Sequence, residues 1–159
     1  MKKIPVKLIS FLEKNKIKYQ LVEHRTVYTA YDKAATLRVK PNVIGKTLVL
    51  KTDKELAVVL IPGNKNLDKN KFKKAVKAKK IDFISETVMK NKFKGFKMGA
   101  VPPFGEIFKI ATFVDRLLLK EKNILLNAGI YEASLKMSPK VFEKIGAVLA
   151  NFSKAKSMR

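Results

Sequence analysis

Val43-Ile44-Gly45-Lys46-Thr47-Leu48-Val49-Leu50 bends at its glycine and then runs into β-branched and leucine side chains. Glu55-Leu56-Ala57-Val58-Val59-Leu60-Ile61 repeats the apolar run shortly afterwards. Runs of this kind suit interior strands, which offer apolar side chains to both faces of a sheet. The short polar link Thr52-Asp53-Lys54 makes the two an antiparallel pair, and Pro62-Gly63 terminates the second. An interior hairpin needs cover, so the rest of the chain is read outward from it.

Upstream, Ile4, Leu8, Phe11 and Leu12 recur at helical spacing and predict a helix over residues 5–16. Residues 17–21 alternate like a strand with one buried face, and His24 to Tyr28 form a polar, aromatic loop. Thr29 and Asp32 have the spacing of a capping box ahead of a helix over residues 30–39, which Pro41 ends. Downstream, Asp68 caps a lysine-crowded amphipathic helix over residues 67–80, with Phe72, Ala75 and Val76 facing the core. A short strand at 81–84 and a helix capped by Ser85 and reaching Lys92 follow. Further strands are predicted at 107–114, 123–126 and 135–137, with Asp115 capping a helical turn over 116–119. Ser138-Pro139 then opens a final helix whose inner face is Val141, Ile145, Val148, Leu149 and Phe152. The expected architecture is one mixed α/β (α+β) domain spanning residues 1–159. Its strands are too short and irregularly connected for a doubly wound sheet.

Gly99-Ala100-Val101-Pro102-Pro103-Phe104-Gly105 interrupts this pattern with two of the seven glycines and two of the six prolines. Consecutive prolines fix φ and remove donors, and flanking glycines permit bends or close approach. The residue before each proline is pushed towards extended geometry. The reading is a stiff loop holding the N–H groups of Gly99, Ala100, Val101, Phe104 and Gly105 at fixed positions. It is either a rigid surface turn or the wall of a small pocket.

Composition narrows the function. Hydrophobic residues make up 47% of the 159, an ordinary globular share. The absence of cysteine removes disulfides, thiolate nucleophiles and cysteine-based zinc sites. The start, Met1-Lys2-Lys3-Ile4-Pro5, lacks a signal-peptide core, and no apolar run approaches the roughly 20 residues of a membrane span. A cytoplasmic protein is expected. The net charge is +22 from 35 basic residues, of which only Arg25, Arg38, Arg116 and Arg159 are arginines. Lysine is a mobile point charge that suits backbone phosphates, so a sequence-tolerant, salt-sensitive attraction to nucleic acid is expected. A lysine-biased genome would give the same composition.

His24 is the single histidine, and the 13 acidic residues show no metal-ligand spacing, so no metal site is expected. No Gly-x-Ser-x-Gly elbow occurs. Gly45-Lys46-Thr47 ends like a phosphate loop, but Lys40 stands where the earlier glycine would have to be. Lys46 is the distinctive lysine, at the mouth of an interior strand. It either snorkels to solvent or sits in a cleft, where its ammonium could orient a carbonyl, carboxylate or ribose hydroxyl.

Taken together, Ile44-Gly45-Lys46-Thr47-Leu48-Val49-Leu50, Val59-Leu60-Ile61-Pro62-Gly63, Leu67-Asp68, the Gly99–Gly105 loop, Asn127-Ala128-Gly129 and Leu135-Lys136-Met137-Ser138-Pro139 resemble the YbaK/prolyl-tRNA-editing domain family. Thr26-Val27-Tyr28-Thr29-Ala30 looks like the family's opening segment, and the match covers most of residues 20–150. The resemblance implies a mostly antiparallel mixed sheet curled into a partial barrel with helices outside. It implies a free-standing aminoacyl-tRNA deacylase that cleaves the ester of mischarged tRNA, Cys- or Ala-charged proline tRNA first of all. Lys46 would then be the essential lysine. Thr26, Tyr28, Thr47, Gly99, Ala100, Val101, Pro102, Pro103, Phe104, Gly105, Asn127, Ala128 and Gly129 would line the aminoacyl site. Asn127 stands where many relatives carry a small residue. The implied partners are aminoacylated tRNA and prolyl-tRNA synthetase, with no cofactor and no membrane. A non-catalytic module that keeps the pocket to bind tRNA or a synthetase is the alternative.

Overall fold

The computed structural model describes residues 3–53 and 55–156, and the hairpin read from the sequence is at its centre. Strands β2 (Gly45–Thr52) and β3 (Glu55–Pro62) pair antiparallel in one unbroken register from Gly45↔Pro62 to Thr52↔Glu55. Lys54, in the expected turn, lies outside the described residues. Strand β1 is Gln20–Glu23, β5 is Ile81–Phe83, β6 is Ala111–Asp115 and β9 is Val148–Ala150. The central sheet has the order β5-β2-β3-β6-β9, with β6 parallel to both β3 and β9. Strands β7 (Ile124–Asn127) and β8 (Ala133–Met137) join β1 in an antiparallel sheet, and a parallel bridge between Ile44 and Leu125 links the two sheets. Strand β4 (Lys65–Leu67) pairs antiparallel with β10 (Ser153–Ala155). The architecture is mixed α/β and mostly antiparallel, with five α-helices and ten strands among the described residues.

The hairpin is covered on both faces. Leu60 belongs to a core with Leu8, Phe11 and Leu12 of α1 (Val6–Lys14) and with Phe104 and Phe142. Ala57, Val59 and Ile61 face the other way, onto Phe72 of α3 (Lys69–Val76) and Phe152. Full burial of one such phenylalanine contributes about 2–3 kcal/mol.

Capping residues set four of the starts as read, whereas the final helix begins at Val141 after Lys140 rather than at the expected Ser138-Pro139. Thr29 Oγ1 accepts from the Asp32 N–H ahead of α2 (Ala30–Leu37). Asp68 caps α3, Ser85 caps α4 (Glu86–Lys92), and Asp115 caps a 3-10 turn over Arg116–Lys120.

Four expectations are corrected. The first strand starts at Gln20 rather than residue 17, because Lys16 turns left-handed at φ 51° and the Ile17 N–H returns to Leu12 O. The basic helix is shorter than 67–80, with β4 before it and a left-handed Lys77 closing it. Residues 107–114 are not one strand. Gly105–Phe108 is a 3-10 turn ended by left-handed Lys109, and Phe108 packs edge-on against Phe93 and Phe96. The long final helix is absent. Helix α5 is only Val141–Lys144, Gly146 breaks it at φ 74°, and β9 and β10 follow. Phe152 is buried between these strands, its N–H held by Asp115 Oδ2 at 2.9 Å.

Candidate functional site

A cleft of about 500 Å³ opens where the N-terminal half of α2, the start of β2, the end of β7 and the Gly99-Ala100 corner meet. Tyr28, Tyr31 and Lys33 line one side, Gly45 to Leu48 another, and Gly99, Ala100, Asn127 and Tyr131 a third. Lys156, just beyond β10, stands at its edge with its Nζ 4.1 Å from the centre of the Tyr31 ring. The cleft is electropositive: Lys33, Lys46 and Lys156 line it, and no carboxylate does among the described residues.

Lys46 sits in β2 directly across from Ile61 of β3 and is half-buried. Its pKa lies below the ordinary lysine value, first because of burial and second because of the Lys156 charge. Next to it, Thr47 Oγ1 is buried with no hydrogen-bond partner among the described residues.

Lys33 is a site residue that the sequence reading missed. It is only 6% exposed, and burial pushes its pKa down to about 8. Its Nζ donates to Asn127 Oδ1 at 3.0 Å. The Asn127 amide in turn donates from Nδ2 to Gly99 O at 3.3 Å and Val101 O at 3.1 Å. Lys33, Asn127 and the loop carbonyls thus form one hydrogen-bonded chain across the cleft wall. Only its burial had a trace in the sequence. Ala30, Ala34 and Leu37 mark the inward stripe of α2, and Lys33 occupies an i+3 slot on that stripe.

The loop is rigid by pairing as well as by proline. The Ala100 N–H donates to Lys97 O, the Gly129 N–H to Ala100 O, and the Lys97 N–H to Gly129 O. Gly99 takes φ 82°, which a side chain would strain. Gly105 is needed for a different reason. Its N–H donates to Thr112 Oγ1 at 2.7 Å, and a Cβ there would sit 2.9 Å from Ala111 O.

Of the residues read from the sequence, the structure brings Tyr28, Lys46, Thr47, Gly99, Ala100 and Asn127 together around the cleft. Thr26 is exposed outside it. Val101 is buried in a cluster with Val49, Phe93 and Phe108 behind the loop. Pro102, Pro103, Phe104 and Gly105 are buried, Phe104 against Phe11 and Phe142 in the main core. Ala128 and Gly129 are buried under the loop. His24 is away from the cleft. Its Nδ1–H donates to Arg25 O at 2.7 Å, and Nε2 stands 2.9 Å from Ser134 Oγ.

No cluster of three or more histidine, aspartate or glutamate side chains stands close enough to hold a metal ion among the described residues. No described helix is long and apolar enough to cross a membrane. Helix α3 carries exposed lysines of its own, with Lys69 Nζ 5.3 Å from the ring centre of exposed Phe83.

Solved structures share this fold. A hypothetical protein, APE2540, is 28% identical, with a TM-score of 0.84 over 93% of this chain and 99% of its own. A candidate trans-editing enzyme for prolyl tRNA synthetase is 23% identical, with a TM-score of 0.79 over 94% of this chain and 96% of its own. A scaffold used for computational epitope backbone grafting is 22% identical, with a TM-score of 0.81 over 94% of this chain. Residues 24–145, which carry the cleft's α2, β2, loop and β7 walls, match the model of the aminoacyl-tRNA editing domain, and the chain belongs to that family.

Proposed function

We propose that the protein is a trans-acting aminoacyl-tRNA deacylase, hydrolysing the ester between a wrongly attached amino acid and the tRNA 3′ end. The observation that carries this reading is a cleft whose ionised side chains are all lysines, beside a loop pinned by its own backbone. An ester to ribose is already activated, so positioning and stabilisation of the developing oxyanion matter more than a strong base.

In this reading the Lys46 ammonium holds the ester carbonyl or an adjacent ribose oxygen. Thr47 Oγ1, which has no hydrogen-bond partner among the described residues, and the backbone of the Gly99-Ala100 corner complete the polar surround. Water is the nucleophile, with the neighbouring ribose hydroxyl available to assist it. Tyr28 and Tyr31, both exposed at the rim, offer ring faces to the terminal bases. The surface lysines hold the backbone phosphates. Proline tRNA is the first carrier to test, supported by the candidate trans-editing enzyme for prolyl tRNA synthetase among the similar structures, and cysteine and alanine are the first amino acids to place on it because the family resemblance implies them.

Incubation with a panel of mischarged tRNAs is expected to release the amino acid. Lys46→Ala is expected to lower the rate about 100-fold or more while leaving the fold intact. No turnover of any charged tRNA at high enzyme concentration overturns the reading. tRNA binding without hydrolysis, unchanged in Lys46→Ala, would instead mark a non-catalytic module that binds tRNA or a synthetase.

A further inference from the structure

Lys33 is poorly satisfied by the protein alone. An ammonium has three N–H donors. Among the described residues, one hydrogen bond is made, to Asn127 Oδ1, and no carboxylate pairs with it. The other charged groups lining its cleft are Lys46 and Lys156, which repel it. A nine-tenths-buried cation with one amide oxygen for company is costly unless something else supplies acceptors. The position of Lys33 in the cleft wall means that a ligand can do so.

Asn127 cannot take over that task. Its oxygen is held by Lys33 and its NH₂ by two carbonyls of the loop, so the asparagine fixes the direction in which the ammonium points. We propose that Lys33, oriented by Asn127, is a specificity-determining residue that selects an aminoacyl group bearing a side-chain oxygen over an apolar one. Within the small aminoacyl groups, serine is therefore favoured over alanine. A pocket that discriminates by size alone cannot reject alanine, because alanine fits wherever serine does. A site built around a buried donor does so by leaving that donor unpaired. The α-ammonium of the same aminoacyl group is repelled by Lys33, which orients the side chain rather than the amine towards it.

This inference rests on the deacylase reading, and the test separates the two. The probes are RNA stems whose 3′-CCA end carries serine or alanine through a non-hydrolysable amide, titrated against the whole protein by fluorescence anisotropy. Hydrolysis of the corresponding esters is measured in parallel. The seryl probe is expected to bind about tenfold or more tightly than the alanyl probe. Lys33→Met, which keeps the buried stem and removes the donors, is expected to bring the ratio to about one. Lys33→Gln keeps an N–H donor and should retain part of the preference, which also covers a failure of the methionine variant to fold. Equal affinities in the unmodified protein, or an unchanged ratio in both variants, overturn the inference. If the esters are still cleaved, the deacylase reading stands without it. A parallel loss of affinity for both probes would show Lys33 to be only a brace for the loop and likewise overturns the proposal. A preference in binding without any cleavage keeps the selective site and removes the deacylase. No binding of either probe overturns the inference, and if neither ester is cleaved the deacylase reading falls with it.

Discussion

Lys33 has a signature in stability as well as in selectivity. Its folded-state pKa of about 8 lies below the ordinary 10.5 of an unfolded lysine. Below pH 8 the residue is charged in both states, and folding carries the full cost of burying the cation. Between pH 8 and 10.5 the unfolded chain holds the extra proton, so stability from this group rises with pH and the penalty is gone above 10.5. The shift from 10.5 to about 8 corresponds to a penalty of the order of 3 kcal/mol. Lys33→Met should therefore be favoured most at pH 7 and lose that advantage by pH 10.5, measured as the difference in urea midpoints between variant and parent across that range. A difference independent of pH would show that Lys33 ionises as freely in the folded protein as in the unfolded one.

At the scale of elements, the joint between β6 and the last strands depends on one buried carboxylate. Asp115 is 1% exposed; Oδ1 accepts from the Leu117 N–H at 2.9 Å and Oδ2 from the Phe152 N–H at 2.9 Å. It caps the turn after β6 and ties down the residue between β9 and β10. Asp115→Ala is expected to cost about 2–4 kcal/mol, from a lost cap and a buried N–H left without a partner. Chemical denaturation reads this directly, and a loss below 0.5 kcal/mol would assign the joint to Phe152 packing instead. The capping half of this joint was visible in the sequence, because an aspartate after an apolar strand acts within two or three residues. Helix starts at Thr29, Asp68 and Ser85 were legible for the same reason, and the β2–β3 hairpin because its apolar runs are long and uninterrupted. The tail was not. Val141, Ile145, Val148, Leu149 and Phe152 have helical spacing, yet Gly146 turns left-handed and β6 offers a parallel edge to Val148–Ala150. That edge is made by residues more than thirty positions away, so local periodicity had no access to it. Around the cleft, Lys46 and the loop were legible from punctuation, namely glycine, proline and a lysine opening an apolar strand. Lys33 needed the partner that only the fold brings within 3.0 Å.

For the molecule as a whole, the charge of +22 sets how the proposed substrate is met. Among the described residues, Arg25 pairs with Asp32 and Lys80 with Asp82. The lysines that stand exposed on the surface are available to displace counterions from phosphates. Affinity for tRNA should fall steeply with salt, with a slope of log K against log salt of about −0.7 to −0.9 per phosphate engaged. Five or so contacts would lose roughly 100-fold or more between 50 and 200 mM salt. A flat dependence would show that the surface lysines take no part in binding.

The last strands also matter for the order in which the fold can be completed. The stretch shared with the editing family ends at residue 145, whereas β9 closes the edge of the central sheet beside β6, and β10 pairs with β4. On a ribosome these residues emerge after nearly everything they complete. Until then β6 presents an unfilled strand edge, and Phe72 and Phe113 lack the Phe152 ring they pack with or near. An open edge beside bare aromatic rings is a template for another nascent chain. Pairing of β9 and β10 closes that edge, and the same closing segment delivers Lys156 to the cleft.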